Sequence, residues 1–158
     1  MFDNAVAKDG TLNSKLLDEL YYETLDLSEC VVDYFQANNK DTVQQLGPSL
    51  MGFYTLESNR ITGGIMQSMS WCLMQKGVRS GEVSIEEASE KSSRLANNAL
   101  FDDPIGCDTS TFSEEFMEFS AKARSLYSRI VRLDRILYDT PERNKNPVRG
   151  LMEKIEDL

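Results

Sequence analysis

A chain of 158 residues with 17 Lys and Arg against 26 Asp and Glu, a net charge of −9, is one domain in size and repels phosphate backbones and anionic headgroups, which argues against nucleic acid as a partner. It holds no histidine, so Ser-His-Asp and Cys-His nucleophile systems, imidazole metal ligands and a histidine general base are excluded. Cys30, Cys72 and Cys107 are odd in number and lack a C-x-x-C spacing, which points to neither a disulfide framework nor a thiolate zinc site and fits a reducing cytoplasm.

The opening stretch MFDNAVAKDG lacks a basic start followed by an apolar run and so does not read as a secretory signal. Residues 1–12 are expected to form a flexible N-terminus. The first helical pattern runs from about Ser14 to Asn38, where Leu17, Leu20, Thr24, Leu27, Val31 and Tyr34 fall alternately three and four residues apart on one face. Asn13 or Ser14 can cap its free amides, and the Asn38, Asn39 pair suits a left-handed helix end. From Lys40 to Leu46 the pattern lapses. Gly47-Pro48 reads as a restart, because proline at the first helical position loses no intrahelical hydrogen bond.

The second helix is expected to reach about Ser80, with apolar residues pointing in nearly all directions, the mark of a central helix buried on most sides. Gly63 and Gly64 each cost about 1 kcal/mol of helix stability against Ala, so a kink or a close approach should compensate. Ile61 to Gln75 carries no charge, but it is shorter than the ~20 apolar residues of a membrane span and reads as a buried soluble helix. Gly81 ends the helix, and Ser84 with Glu87 makes a capping box for a short third helix to about Asn97.

Asn98 to Ser110 has a loop composition. From about Thr111 to Tyr138, Phe112, Phe116, Phe119, Ala123, Leu126, Ile130, Leu133 and Leu137 then form an unbroken heptad seam. These segments predict an all-α fold over residues 13–138: an antiparallel bundle of three long helices with one short extra helix, joined by one short and one longer connection. Residues 139–158 are expected to be a flexible tail. Past Pro147, Val148, Leu151, Met152 and Ile155 keep one-face spacing, a short amphipathic segment suited to a partner's groove.

A second helix with more apolar circumference than two neighbours can cover predicts a homodimer. Met66, Met69, Trp71 and Leu73 are candidates for the dimer or protein-binding surface, with core filling as the competing reading. Thr62, Gln67, Ser70 and Gln75 need partners if buried, which Asp134, Arg129, Arg132 and Arg135 can supply. Lys122, Arg124, Arg129, Arg132 and Arg135 form either a solvated face or a docking patch for an acidic partner. The most enzyme-like feature is Glu87-x-x-Glu90 followed by Glu115-x-x-Glu118, which resembles the carboxylate spacing of all-α Mg2+-dependent nucleotide pyrophosphohydrolases. The simpler reading places Glu86, Glu87, Glu114 and Glu115 in first helical turns, where the helix dipole favours negative charge. No catalytic residue, metal or cofactor is assigned.

The string ESNRITGGIMQSMSWCLMQKGVRSGE, with Glu57, Arg60, Thr62, Met66, Gln67, Ser70 and Trp71 among its anchors, resembles the alphaproteobacterial regulator of CtrA degradation (RcdA-like) family. LYSRIVRLDRIL, from Leu126 to Leu137, is similar to the same family's last helix. The resemblance implies a dimerising helical bundle in the cytoplasm, a non-enzymatic adaptor that delivers substrates to the ClpXP protease in cell-cycle control. This sequence departs from the family pattern at Gly63, Gly64 and Gly77. A Mg2+-dependent nucleotide hydrolase and a client-free structural dimer are the alternatives.

Overall fold

The computed structural model describes residues 5–90, 94–95 and 99–139. The side-chain oxygen of Asn13 accepts from the amides of Lys15 (3.0 Å) and Leu16 (3.3 Å), satisfying free donors at the start of α1, Ser14–Ser80. This run is folded into two arms at a single residue. Gly47 has φ 70° and ψ 171°, a left-handed backbone that favours glycine, and Pro48 keeps the residue before it out of helical geometry. The first arm (residues 14–46) therefore continues through the stretch where the apolar pattern lapses. Asn38 does not end it: its side-chain amide donates back to the carbonyl of Tyr34 at 2.9 Å, and Leu46 is buried at the arm's end.

The second arm (residues 48–80) returns antiparallel to the first, with Lys76 on Asp18 at 2.9 Å and Arg79 donating to the carbonyl of Leu12 at 2.8 Å. Gly81, in left-handed geometry with its N–H on the carbonyl of Val78, closes it. The capping box forms as expected: Glu87 N–H donates to Ser84 Oγ and Ser84 N–H to the Glu87 carboxylate. The helix it starts, α2, Ile85–Ser89, is far shorter than the run to Asn97 that the composition predicts. Only Ala88 of it is buried, and Glu90 is already extended with its N–H on the carbonyl of Glu87; residues 91–93 and 96–97 of the predicted run lie outside the described residues. A 3-10 turn at Thr109–Thr111 and the Ser113 cap, which accepts from Phe116 N–H, lead into α3, Glu114–Tyr138.

The three long helices form the bundle, and every residue of both predicted seams is buried. At one end Tyr54 packs on Phe116 with ring centroids 4.6 Å apart and Tyr34 on Phe119 at 5.4 Å. α3 is antiparallel to the first arm, with Tyr34 Oη to Ser113 Oγ at one end and an Arg129–Glu23 ion pair further along. The longer connection carries the chain from the Leu12 end back to the end where the second arm begins, so α3 runs parallel to the second arm. Glu57–Ser120, Trp71–Asp134 and Gln75–Tyr138 are all hydrogen-bonded partners 63 residues apart, a constant parallel register.

The N-terminus is not a free segment over residues 5–12. Ala5 and Leu12 are core residues, Asn13 N–H donates to the Ala5 carbonyl at 2.7 Å, and Val6 pairs with Leu12 in a small antiparallel bridge. Leu12 seals the bundle end against the second arm, and the turn satisfies its own backbone groups. The predicted tail beyond Asp139, with Val148, Leu151, Met152 and Ile155, lies outside the described residues. No helix among the described residues is long and apolar enough to cross a membrane.

Gly47→Ala meets no neighbour within 4 Å, so its cost isolates the positive φ. It should lower unfolding stability by about 1 kcal/mol, read from the urea midpoint at unchanged m-value.

Candidate interaction face and the polar ladder behind it

The second arm divides along its length into two faces. Tyr54, Glu57, Ile61, Gly64, Ser68, Trp71 and Gln75, spaced alternately by three and four residues, are buried on the side of α3 and the crossover loop. Several of them are polar, and each of those named below has a partner. Glu57, with 0% exposure, accepts from Arg124 at 2.8 and 2.9 Å and from Ser120 Oγ at 2.9 Å, with Arg60 one turn away at 3.4 Å. Higher up, Tyr127 Oη donates to Gln67 at 2.9 Å, and burial pushes the tyrosine pKa up to about 12. Trp71 Nε1 donates to Asp134 at 3.0 Å, and Gln75 Nε2 donates to Tyr138 Oη at 3.0 Å.

Arg94, from the crossover, completes the ladder at its upper end. Its guanidinium donates to Asp134 at 2.6 and 2.8 Å and to Asp139 at 2.7 and 3.0 Å. These bonds hold the Asp139 carboxyl below its usual range and raise the Arg94 pKa, through Asp139 first and Asp134 second. Cys72, facing the first arm, is fully buried, and desolvation lifts its thiol to about 11, the state of an inert core sulfur.

Gly64 is explained by the same packing. A Cβ there would lie 2.6 Å from the ring of Phe101, so the glycine is the notch into which the crossover loop inserts its aromatic side chain. The close approach expected for the Gly63, Gly64 pair is thus made at Gly64 by a loop residue. Gly63 has nothing within 4 Å of its Cβ position, and neither has Gly52.

Those two glycines lie on the outward face with Leu56, Met66, Ser70 and Leu73. Leu56 is 48% exposed, Met66 64% and Leu73 52%. The only charged residues between positions 48 and 75 are Glu57 and Arg60, and both are engaged at the inner ladder, so the outward face is uncharged over its whole length. Of the four residues expected on a binding surface, Met66 and Leu73 lie here and Met69 is half-buried on the flank toward the first arm. Trp71 does not. It is 3% exposed in the core, where burial removes the large indole from water and Asp134 accepts from its N–H.

Of the polar residues expected to need partners, Gln67 and Gln75 are in the ladder, whereas Thr62 and Ser70 face outward. Asp134 supplies a partner as expected, but Arg129 is drawn to Glu23 and Arg132 and Arg135 stay exposed. Helical periodicity alone does not disclose the Glu57–Arg124 pair. The signal available was that Glu57 is one of only two charges in a long neutral stretch. The four acids of the metal motif serve elsewhere where the structure gives them partners: Glu87 closes the capping box and Glu118 pairs with Lys122 at 2.9 Å. Among the described residues no three acidic or cysteine side chains converge as a metal site.

Removing Arg124 strands a carboxylate with no exposure. Arg124→Met should cost about 3–5 kcal/mol, and adding Glu57→Leu should recover much of it, a coupling measurable by a urea double-mutant cycle. The adjacent glycines separate cleanly. Gly63→Ala should stabilise the free chain by about 1 kcal/mol, while Gly64→Ala should destabilise it by about 1–3 kcal/mol as Phe101 is expelled, both read as thermal midpoints.

Residues 8–158 match a family described as "Protein of unknown function (DUF1465)". The fold is similar to a crystal structure of RcdA from Caulobacter crescentus CB15, with a TM-score of 0.64 and 27% sequence identity over 81% of this chain and 95% of that one. The RcdA-like resemblance carried by the central helix thus extends to the fold. No curated protein matches the sequence.

Proposed function

The chain belongs to the DUF1465 family, and from that premise we propose that it is a non-enzymatic regulatory adaptor that binds proteins and helps deliver substrates to the ClpXP protease in cell-cycle control. The observation that carries this reading is the likeness of the whole bundle to RcdA. The neutral outward face of the second arm supports it. A helix that directs its few charges inward and exposes Leu56, Met66 and Leu73 has the makings of a contact surface for another protein.

The first occupant of that face is a second copy of the chain. Gly63 weakens the free helix and no neighbour among the described residues requires it, while a partner helix crossing there would gain close backbone approach. Such a dimer works in the cytoplasm, without a metal or cofactor of its own, and holds clients and protease together by contact. Residues 139–158 are a second proposed contact, through the one-face spacing of Val148, Leu151, Met152 and Ile155.

Light scattering should give twice the chain mass for the native protein and the chain mass for Met66→Glu/Leu73→Glu, with helicity retained because both side chains are exposed. In a reconstituted ClpXP assay with candidate substrates, the native protein should raise the degradation rate and the double variant should not. A native monomer would remove the dimer, and unchanged rates across a panel of substrates would remove the adaptor.

A further inference from the structure

α3 carries five cations, and three are committed within the chain: Lys122 to Glu118, Arg124 to Glu57 and Arg129 to Glu23. Arg132 and Arg135, neighbours one turn apart, are exposed and form no ion pair among the described residues. Arg135 lies near Asp139, but that carboxylate is already held by Arg94. In a protein of net charge −9, two guanidinium groups on one edge without an ion pair among the described residues are a local exception.

They line a cleft of about 360 Å³ between α3 and the crossover loop, together with Phe101, Asp102, Tyr127 and Val131. The loop wall is held in place from inside the protein. Arg124, anchored on Glu57, donates to the carbonyls of Phe101 (3.0 Å) and Asp103 (3.1 Å) and stacks 5.1 Å from the centre of the Phe101 ring, whose edge fills the notch at Gly64. The cleft is therefore preorganised, with Phe101, Tyr127 and Val131 as the apolar part of its lining and a cationic rim on one side.

We propose that this cleft binds a short acidic peptide segment of a partner protein, with its carboxylates on Arg132 and Arg135 and an apolar side chain against Phe101 and Val131. The planar guanidinium fork matches a carboxylate with two parallel hydrogen bonds, which makes arginine more selective than a diffuse positive field. Phe101 and Val131 reward an apolar side chain between the acids, which a free anion lacks. Asp102 on the opposite lip repels carboxylates and so directs them to the α3 side. This site rests on the cleft alone and is independent of the adaptor reading.

The test uses the full chain and a fluorescein-labelled peptide whose core is Glu-Leu-Leu-Glu, titrated by fluorescence anisotropy, with a Gln-Leu-Leu-Gln peptide as comparator. The acidic peptide should bind saturably and at least about tenfold more tightly than the neutral one, and weaken as salt is raised from about 50 to about 300 mM. Arg132→Glu/Arg135→Glu should lose at least about tenfold in affinity, and Ser128→Glu, an exposed change on the same rim, should also weaken binding, with helicity and mass unchanged in both. Equal affinity in the charge-reversed protein, or no binding up to about 1 mM peptide, would overturn the proposal. So would displacement by inorganic phosphate as effective as by unlabelled peptide, which would mark a bare anion site. A change of mass in the charge-reversed protein would overturn it as well, by assigning the rim to a contact between copies.

Discussion

A carboxylate with no exposed surface has to be neutralised where it lies, and Glu57 imposes that condition on the whole bundle. Arg124 meets it with two hydrogen bonds, and Ser120 and Arg60 occupy the remaining acceptor sites. Since Arg124 and Ser120 are on α3, the pair ties α3 to the second arm in a parallel register. A slip of one turn would leave both a buried negative charge and an unmatched cation. The seams alone would tolerate such a slip better, because one apolar knob fits much like another.

The same guanidinium couples the core to the surface. Its remaining donors reach the carbonyls of Phe101 and Asp103, so the crossover loop is fixed by a group whose own position is set by a buried carboxylate. At the other end Arg94 acts as the mirror of this arrangement, a crossover cation held by Asp134 and Asp139 of the helix end. The long connection is thus tied to the polar ladder at Arg94 and at Phe101–Asp103, alongside the packing of Leu95, Phe101 and Ile105 on the core.

The ladder also determines what the outside of the second arm looks like. Helices at a bundle surface ordinarily keep their charges outward, but here the arm's two charges between positions 48 and 75 are drawn inward and the outer face is left with glycine, serine, leucine and methionine. The first arm and α3 carry the charge instead. An uncharged ridge flanked by charged ones suits contact with another protein, and thioether and glycine surfaces repack at little cost.

Much of this fold is local and could be read from the residues. The seam from Leu17 to Tyr34 and that from Phe112 to Leu137 are spacings within single helices, and both are buried as the spacing requires. The Gly47-Pro48 break, the Gly81 end and the Ser84–Glu87 box follow from backbone sterics and hydrogen bonding within a few residues. Where local signals were weak, tertiary contacts prevailed: Leu46 carried the first arm through the lapse and Leu12 drew the N-terminal turn into the core, while the helix after Ser84 stops at Ser89. The sequence by itself determined which segments are helical and which face of each is apolar, because both depend on neighbours three and four positions away. Only the tertiary structure decided that Trp71 turns inward to Asp134, that Glu57 meets Arg124, and that Met66 and Leu73 remain outside. Those outcomes depend on the register between helices, and no single helix's pattern contains the position of its neighbour.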